Sequence, residues 1–225
     1  MANKTPKFER VEYGGIFPEA IALPMNAEKL MKNDAASDFG ALIDLKESPT
    51  TAWCHELRLR MWVRNSSTRL LDIVGIAPNK RIVESSYGTA IMFPPQGGVG
   101  GDVVRFECNL DKDAPSMRRF DLCGYKKRYA SSEYYFDEGV LEVEPHHVVC
   151  ISILFYATDR VYGISPEIIV NINGQPESIP VPADRVGIVC PAGMIPDTGK
   201  MVRTFDGKPP FFMNAPELFD EYLRQ

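Results

Sequence analysis

The residues able to do chemistry are three histidines, five cysteines and a set of arginines threaded between apolar positions. A thiolate nucleophile needs an imidazole within hydrogen-bond reach. His55 stands between Cys54 and Glu56. Adjacent residues of a strand point to opposite faces, so Cys54 and His55 do not pair with each other. His146 and His147 precede Cys150. His146 and Cys150 share a face only in a strand that begins early, and they then lie two pleats apart. No G-x-S-x-G elbow, H-E-x-x-H pair or phosphate-binding loop occurs in the chain. Catalysis would require side chains that meet only in three dimensions, with His146, His147, Asp159 and Glu138 as the candidates.

Metal and cofactor chemistry finds no pattern either. The cysteines at positions 54, 108, 123, 150 and 190 include no C-x-x-C pair. Asn109, Asp111 and Asp113 alternate as the start of a calcium loop would. Such a loop needs glycine at its sixth position and glutamate at its twelfth, and here those positions are Ala114 and Phe120. An Asp-rich turn is the expectation. No metal and no cofactor is expected, and the reading leans away from an enzyme.

The stretch "LRLRMWVRN", Leu57 to Asn65, carries the clearest binding chemistry. Leu57, Leu59, Met61 and Val63 would line one face of a strand, and Arg58, Arg60, Trp62 and Arg64 the other. Arginine forks fit carboxylate or phosphate, and tryptophan anchors interfaces, so this face is a candidate partner-binding surface. The plainer alternative is cross-strand pairing with Glu142 and Glu144 of "VLEVEP", each pair contributing roughly 0.2–1 kcal/mol. Trp62 among solvated charges argues for a cover: the amino-terminal segment, the carboxy-terminal helix or a second chain.

A second basic stretch, "MRRFDLCGYKKRY", interleaves Arg118, Arg119, Lys126, Lys127 and Arg128 with Phe120, Tyr125 and Tyr129. Basic residues mixed with aromatics can hold an anion or single-stranded nucleic acid. Acidic segments bracket the stretch, and the net charge of the chain is -5, which favours a solvated hairpin over a nucleic-acid surface.

The elements that must position these residues are mostly strands. Between Trp53 and about Val181, alternating apolar runs are punctuated by Gly, Pro, Asn and Asp. The runs include "LLDIVGIAP", "GTAIMFPP" and "PEIIVNING", the last ending at Asn173-Gly174, a strong hairpin signal. About eight short strands predict an all-β fold, a two-layer antiparallel β-sandwich of jelly-roll or Ig-like type. Val148–Ala157, broken only by Ser152, predicts its central strand. Residues 1–50 are expected to form an extended arm with a short helix capped by Asn26, residues 51–190 the sandwich, and residues 191–225 an extension. That extension would end in an amphipathic helix begun by the capping pattern Asn214 to Glu217. "GGVGG" at 97–101 reads as a flexible loop.

At 225 residues the chain is long enough to bury a sizeable core without disulfides. The odd cysteine count predicts a reducing, cytoplasmic compartment. The amino terminus lacks the apolar core of a signal peptide, and no apolar run is long enough to span a bilayer. These features together lead to the expectation of a non-enzymatic structural or scaffold subunit that binds itself or another protein. A viral-type jelly roll is a fold-level analogy for it, and the alternatives are a cytosolic adaptor or an enzyme with a non-local site.

Overall fold

The computed structural model describes residues 5–14, 20–25, 48–92, 103–123, 127–130, 133–195, 200–202 and 211–212. Strands are numbered β1–β18 along the chain. A six-stranded sheet has the order β1 (Lys7–Gly14), β4 (Glu56–Arg64), β12 (Val148–Tyr156), β8 (Val103–Asn109), β9 (Arg118–Cys123), β10 (Lys127–Ala130). A four-stranded sheet has the order β11 (Leu141–Val143), β5 (Leu71–Ala77), β14 (Glu167–Ile172), β15 (Gln175–Pro180). An eight-stranded sheet runs β18 (Phe211–Phe212), β17 (Lys200–Val202), β7 (Tyr87–Met92), β2 (Ala20–Pro24), then β3 (Ala52–Cys54), β16 (Gly187–Cys190), β13 (Tyr162–Ile164), β6 (Lys80–Ile82). One helical turn, α1 (Tyr135–Glu138), stacks Tyr135 and Phe136 on Phe106 with ring centroids 5.2 and 5.4 Å away.

The fold is the expected all-β sandwich, and alternation decides which face each strand buries. Leu57, Leu59, Met61 and Val63 of β4 are fully buried, as are Ile151, Ile153 and Phe155 of β12. They meet Leu71, Ile73, Ile168 and Val170 from the four-stranded sheet, and Ile21, Trp53, Ile91 and Val189 from the eight-stranded sheet, in one apolar core. The two smaller-numbered pairings, β5 with β14 and β6 with β13, continue across a bend. Pro78 and Pro166 sit at that bend, where they cannot donate to a ladder, and the Ser165 N–H bonds the Pro78 carbonyl at 3.1 Å. The four- and eight-stranded sheets thus join through two bent strands and face the six-stranded sheet together.

The structure departs from the expected arrangement in three respects. First, β8–β12, β3–β16 and β7–β17 pair in parallel, although most pairs are antiparallel. Parallel partners need long crossovers, and the chain between β8 and β12 supplies one by way of β9, β10, α1 and β11. Second, "VLEVEP" does not flank β4. Its strand β11 pairs with β5, so Glu142 lies opposite Asp72 rather than opposite an arginine. Third, Lys7–Gly14 and Ala20–Pro24 are ladder-forming strands. β1 closes the edge of the six-stranded sheet against β4, and β2 lies inside the eight-stranded sheet with Ala20 to Leu23 buried. The helices read at Asn26 and at 214–225, and the loop at 97–101, fall outside the described residues.

Two turns follow from their sequences directly. Asn173 and Gly174 take φ of 54° and 81°, the left-handed pair that a two-residue hairpin between β14 and β15 requires. Asn65 ends β4 in a buried position. Its amide donates to the Arg69 carbonyl at 2.7 Å and the Val143 carbonyl at 2.8 Å, and its side-chain oxygen accepts from Ser67 N and Oγ.

Candidate functional site: the arginine-rich outer face of the six-stranded sheet

The register of the sheet builds the site. Residues opposite one another on neighbouring strands share a face. On the outer face Arg10, Trp62, Cys150 and Val103 form one row, and Glu12, Arg60, Ser152 and Arg105 the next. A third row runs Gly14, Arg58, Leu154, Glu107 and Arg118. Arg58, Arg60, Trp62 and Arg64 therefore do lie on one face, half-buried, as the alternation of β4 requires.

Trp62 is covered from within the chain. The Arg10 guanidinium carbon lies 5.2 Å from the indole centroid and that of Arg60 lies 5.9 Å away, so two cations flank its ring. The amino-terminal segment thus supplies one of the covers considered above. It also supplies the acids. Arg64 is ion-paired with Glu9 and donates to the His146 carbonyl at 2.9 Å, and Glu12 is ion-paired with Arg10. Arg118 pairs with the buried Glu107 at 2.8 Å and donates to the Tyr156 hydroxyl at 3.3 Å.

The middle row is different. Glu12 is engaged by Arg10, and Ser152 is buried between two guanidinium-bearing positions. Arg105 has a long bond, 3.4 Å, to the Val103 carbonyl. The Nε of Arg60 is buried and has no hydrogen-bond partner. A buried donor without an acceptor is costly, and a carboxylate or phosphate oxygen is the acceptor that a guanidinium best accommodates. Sequence reasoning did not link Arg10, Arg105, Ser152 or Arg118 to this face. The alternation in "VVRFECN" places Arg105 on one face of its own strand, but only the pairing of β8 with β12 brings it beside Arg60.

Burial holds the Cys150 thiol above its ordinary pKa. The Arg60 guanidinium opposes that shift, the Glu12 carboxylate adds to it and Arg105 opposes it. A thiol so held is a poor nucleophile at neutral pH. Burial pushes Cys108 and Cys190 up to about 12. The other proposed reactive groups diverge. His146 and His147 sit in the turn before β12 and Asp159 lies past its far end, a separation of about 30 Å for a nine-residue strand. His147 contacts Glu144 at 3.1 Å, and His55, with φ of 68°, joins β3 to β4. Among the described residues no group of three His, Cys, Asp or Glu side chains could hold a metal ion.

Of the basic residues in the second stretch, the described side chains are those of Arg118 and Arg119. Arg118 faces Glu107, while Arg119, its neighbour in β9, is exposed and opposite Phe106 in the register. Lys127 and Arg128 lie in β10, paired with Cys123 and Leu122, and Lys126 falls outside the described residues. Asp111 anchors the Asp-rich turn by accepting from Thr158 N and Oγ1 at 2.7 and 2.8 Å. Among the described residues no helix is long and apolar enough to cross a membrane. Comparison of the chain with protein-family models, with curated proteins and with solved structures returns no match.

Proposed function

We propose that this protein is a non-enzymatic structural subunit that assembles through the outer face of its six-stranded sheet. The observation that carries the reading is the middle row of that face. Arg60 and Arg105 flank a buried serine, and a guanidinium N–H of Arg60 is buried with nothing to accept it. Trp62, half-buried beside that row, keeps a partly accessible indole that can serve as the aromatic anchor typical of protein interfaces. Lys7–Gly14 and Ala20–Pro24 are paired in ladders within the subunit, which supports the sheet face rather than these two segments as the contact.

Size-exclusion chromatography with light scattering over a hundredfold range of concentration tests this. The expected result is a mass that rises with concentration and falls in a Trp62→Ala/Arg60→Glu variant whose circular-dichroism spectrum is unchanged. A concentration-independent monomer would overturn self-assembly and leave a single-partner adaptor as the reading.

A further inference from the structure

Sorting charges by sheet separates them. The six strands that carry the arginine face contain ten Lys or Arg residues against five Asp or Glu. The four strands of the smallest sheet contain four acids and no Lys or Arg at all. In that small sheet Leu71, Ile73, Ile168 and Val170 point into the core, so Asp72, Glu142 and Asn171 form a row on its outer side. Glu142 is exposed and lies directly opposite Asp72. Like charges facing each other across a strand pair are unfavourable, and among the described residues no cation is ion-paired with either. One outer face therefore carries a guanidinium whose Nε has no acceptor, and another outer face of the same subunit carries, among the described residues, two carboxylates without an ion-pair partner, on residues whose Cα atoms stand about 5 Å apart.

We infer that the partner of the arginine face is a second copy of this chain, docked by the acidic row Asp72–Glu142 of its four-stranded sheet. Arg60 and Arg105 stand two inter-strand spacings apart, about 10 Å at the backbone, and their long side chains can converge on a carboxylate pair. Each guanidinium would donate to a carboxylate through its terminal N–H groups, separating the two acids by cations. The two surfaces are different, so the contact is head-to-tail: it leaves a free basic face at one end and a free acidic face at the other, and further copies add until a ring closes or a filament grows.

The contact deepens the assembly reading above and rests on it. Two full-length variants test it. Arg60→Gln/Arg105→Gln removes the basic end, and Asp72→Asn/Glu142→Gln removes the acidic end. Charge reversals at the same positions provide a second set, and circular dichroism and urea midpoints verify folding in both. Each variant alone should associate at least about tenfold more weakly than wild type. An equimolar mixture should give a species of two chains and nothing larger, because one intact basic face meets one intact acidic face and both remaining ends are blocked. Higher oligomers persisting in either variant, or a folded mixture that stays monomeric while wild type assembles, would overturn the head-to-tail contact alone. A monomeric wild type at every concentration would overturn the assembly reading and this contact with it.

Discussion

Asn65 shows how a single polar side chain sets a loop. It is almost fully buried, yet all of its hydrogen-bonding groups are used: two donors reach main-chain carbonyls, and the oxygen takes the Ser67 amide and hydroxyl. Its own backbone closes the same corner, with its N–H bonding the His147 carbonyl at 3.0 Å and its carbonyl accepting from His146 N at 2.9 Å. Asn65→Ala would leave the buried Val143 carbonyl without this donor, whereas the Arg69 carbonyl keeps the Ser67 hydroxyl at 2.8 Å. Each buried group so stranded costs about 1–3 kcal/mol. We expect a loss of about 2 kcal/mol or more in urea unfolding, with the far-ultraviolet spectrum unchanged. Asn65→Asp should cost a similar amount, because it keeps the acceptor and removes the donors. The sequence shows "NSST" as a polar turn, but it cannot show that the turn is buried, because burial depends on β11 arriving beside it from 78 residues away.

At the scale of the element, β1 decides whether the six-stranded sheet has a protected edge. Its residues Val11 and Tyr13 pack on the core opposite Met61 and Leu59, while Arg10 and Glu9 reach Trp62 and Arg64 on the other side. Removing residues 1–14 would uncover the backbone of β4 along most of its length and leave Leu59 and Met61 partly open. Burying side chains of this size contributes about 1.5–3 kcal/mol each, so a loss of about 3 kcal/mol is expected, together with aggregation through the bared strand edge. A truncated protein with wild-type urea midpoint and no added light scattering would contradict this. The strands of the body were legible because their apolar residues alternate, as in Leu57 to Val63 and Leu71 to Ile76. Strands β1 and β2 were not. Lys7–Gly14 does not alternate evenly, because its inward residues Phe8, Val11 and Tyr13 are set out of step by an irregularity between Phe8 and Arg10, and Ala20–Pro24 is a short apolar run between prolines that reads equally well as an arm.

The whole molecule adds what no single strand contains. The arginine row was legible within β4, but its pairing with glutamates of β11 was not, because strand order is a property of the folded sheet; the acids beside the arginines come instead from β1 and β8. The same global packing sets how stability responds to base. Burial raises Tyr13, Tyr87, Cys108 and Cys190 to about 12, each well above its ordinary value. In the unfolded chain the thiols titrate near pH 8.5 and the phenols near pH 10, by about the usual values. Above about pH 8.5 the unfolded chain therefore holds fewer protons than the folded one, and stability falls with rising pH. The contribution is fully present below the unfolded pKa values and is lost as pH climbs toward the folded value of about 12. The urea midpoint should hold level as pH approaches 8 and then drop steadily between about pH 9 and 11. The thiols act first, so Cys108→Ala and Cys190→Ala should each start from a lower midpoint at neutral pH and show a shallower fall between about pH 9 and 10, while the steeper decline above about pH 10, which belongs to the tyrosines, persists. A wild-type midpoint unchanged at pH 10.5 would mean that these four groups ionise as easily in the folded protein as outside it, and that the core around them is open to water.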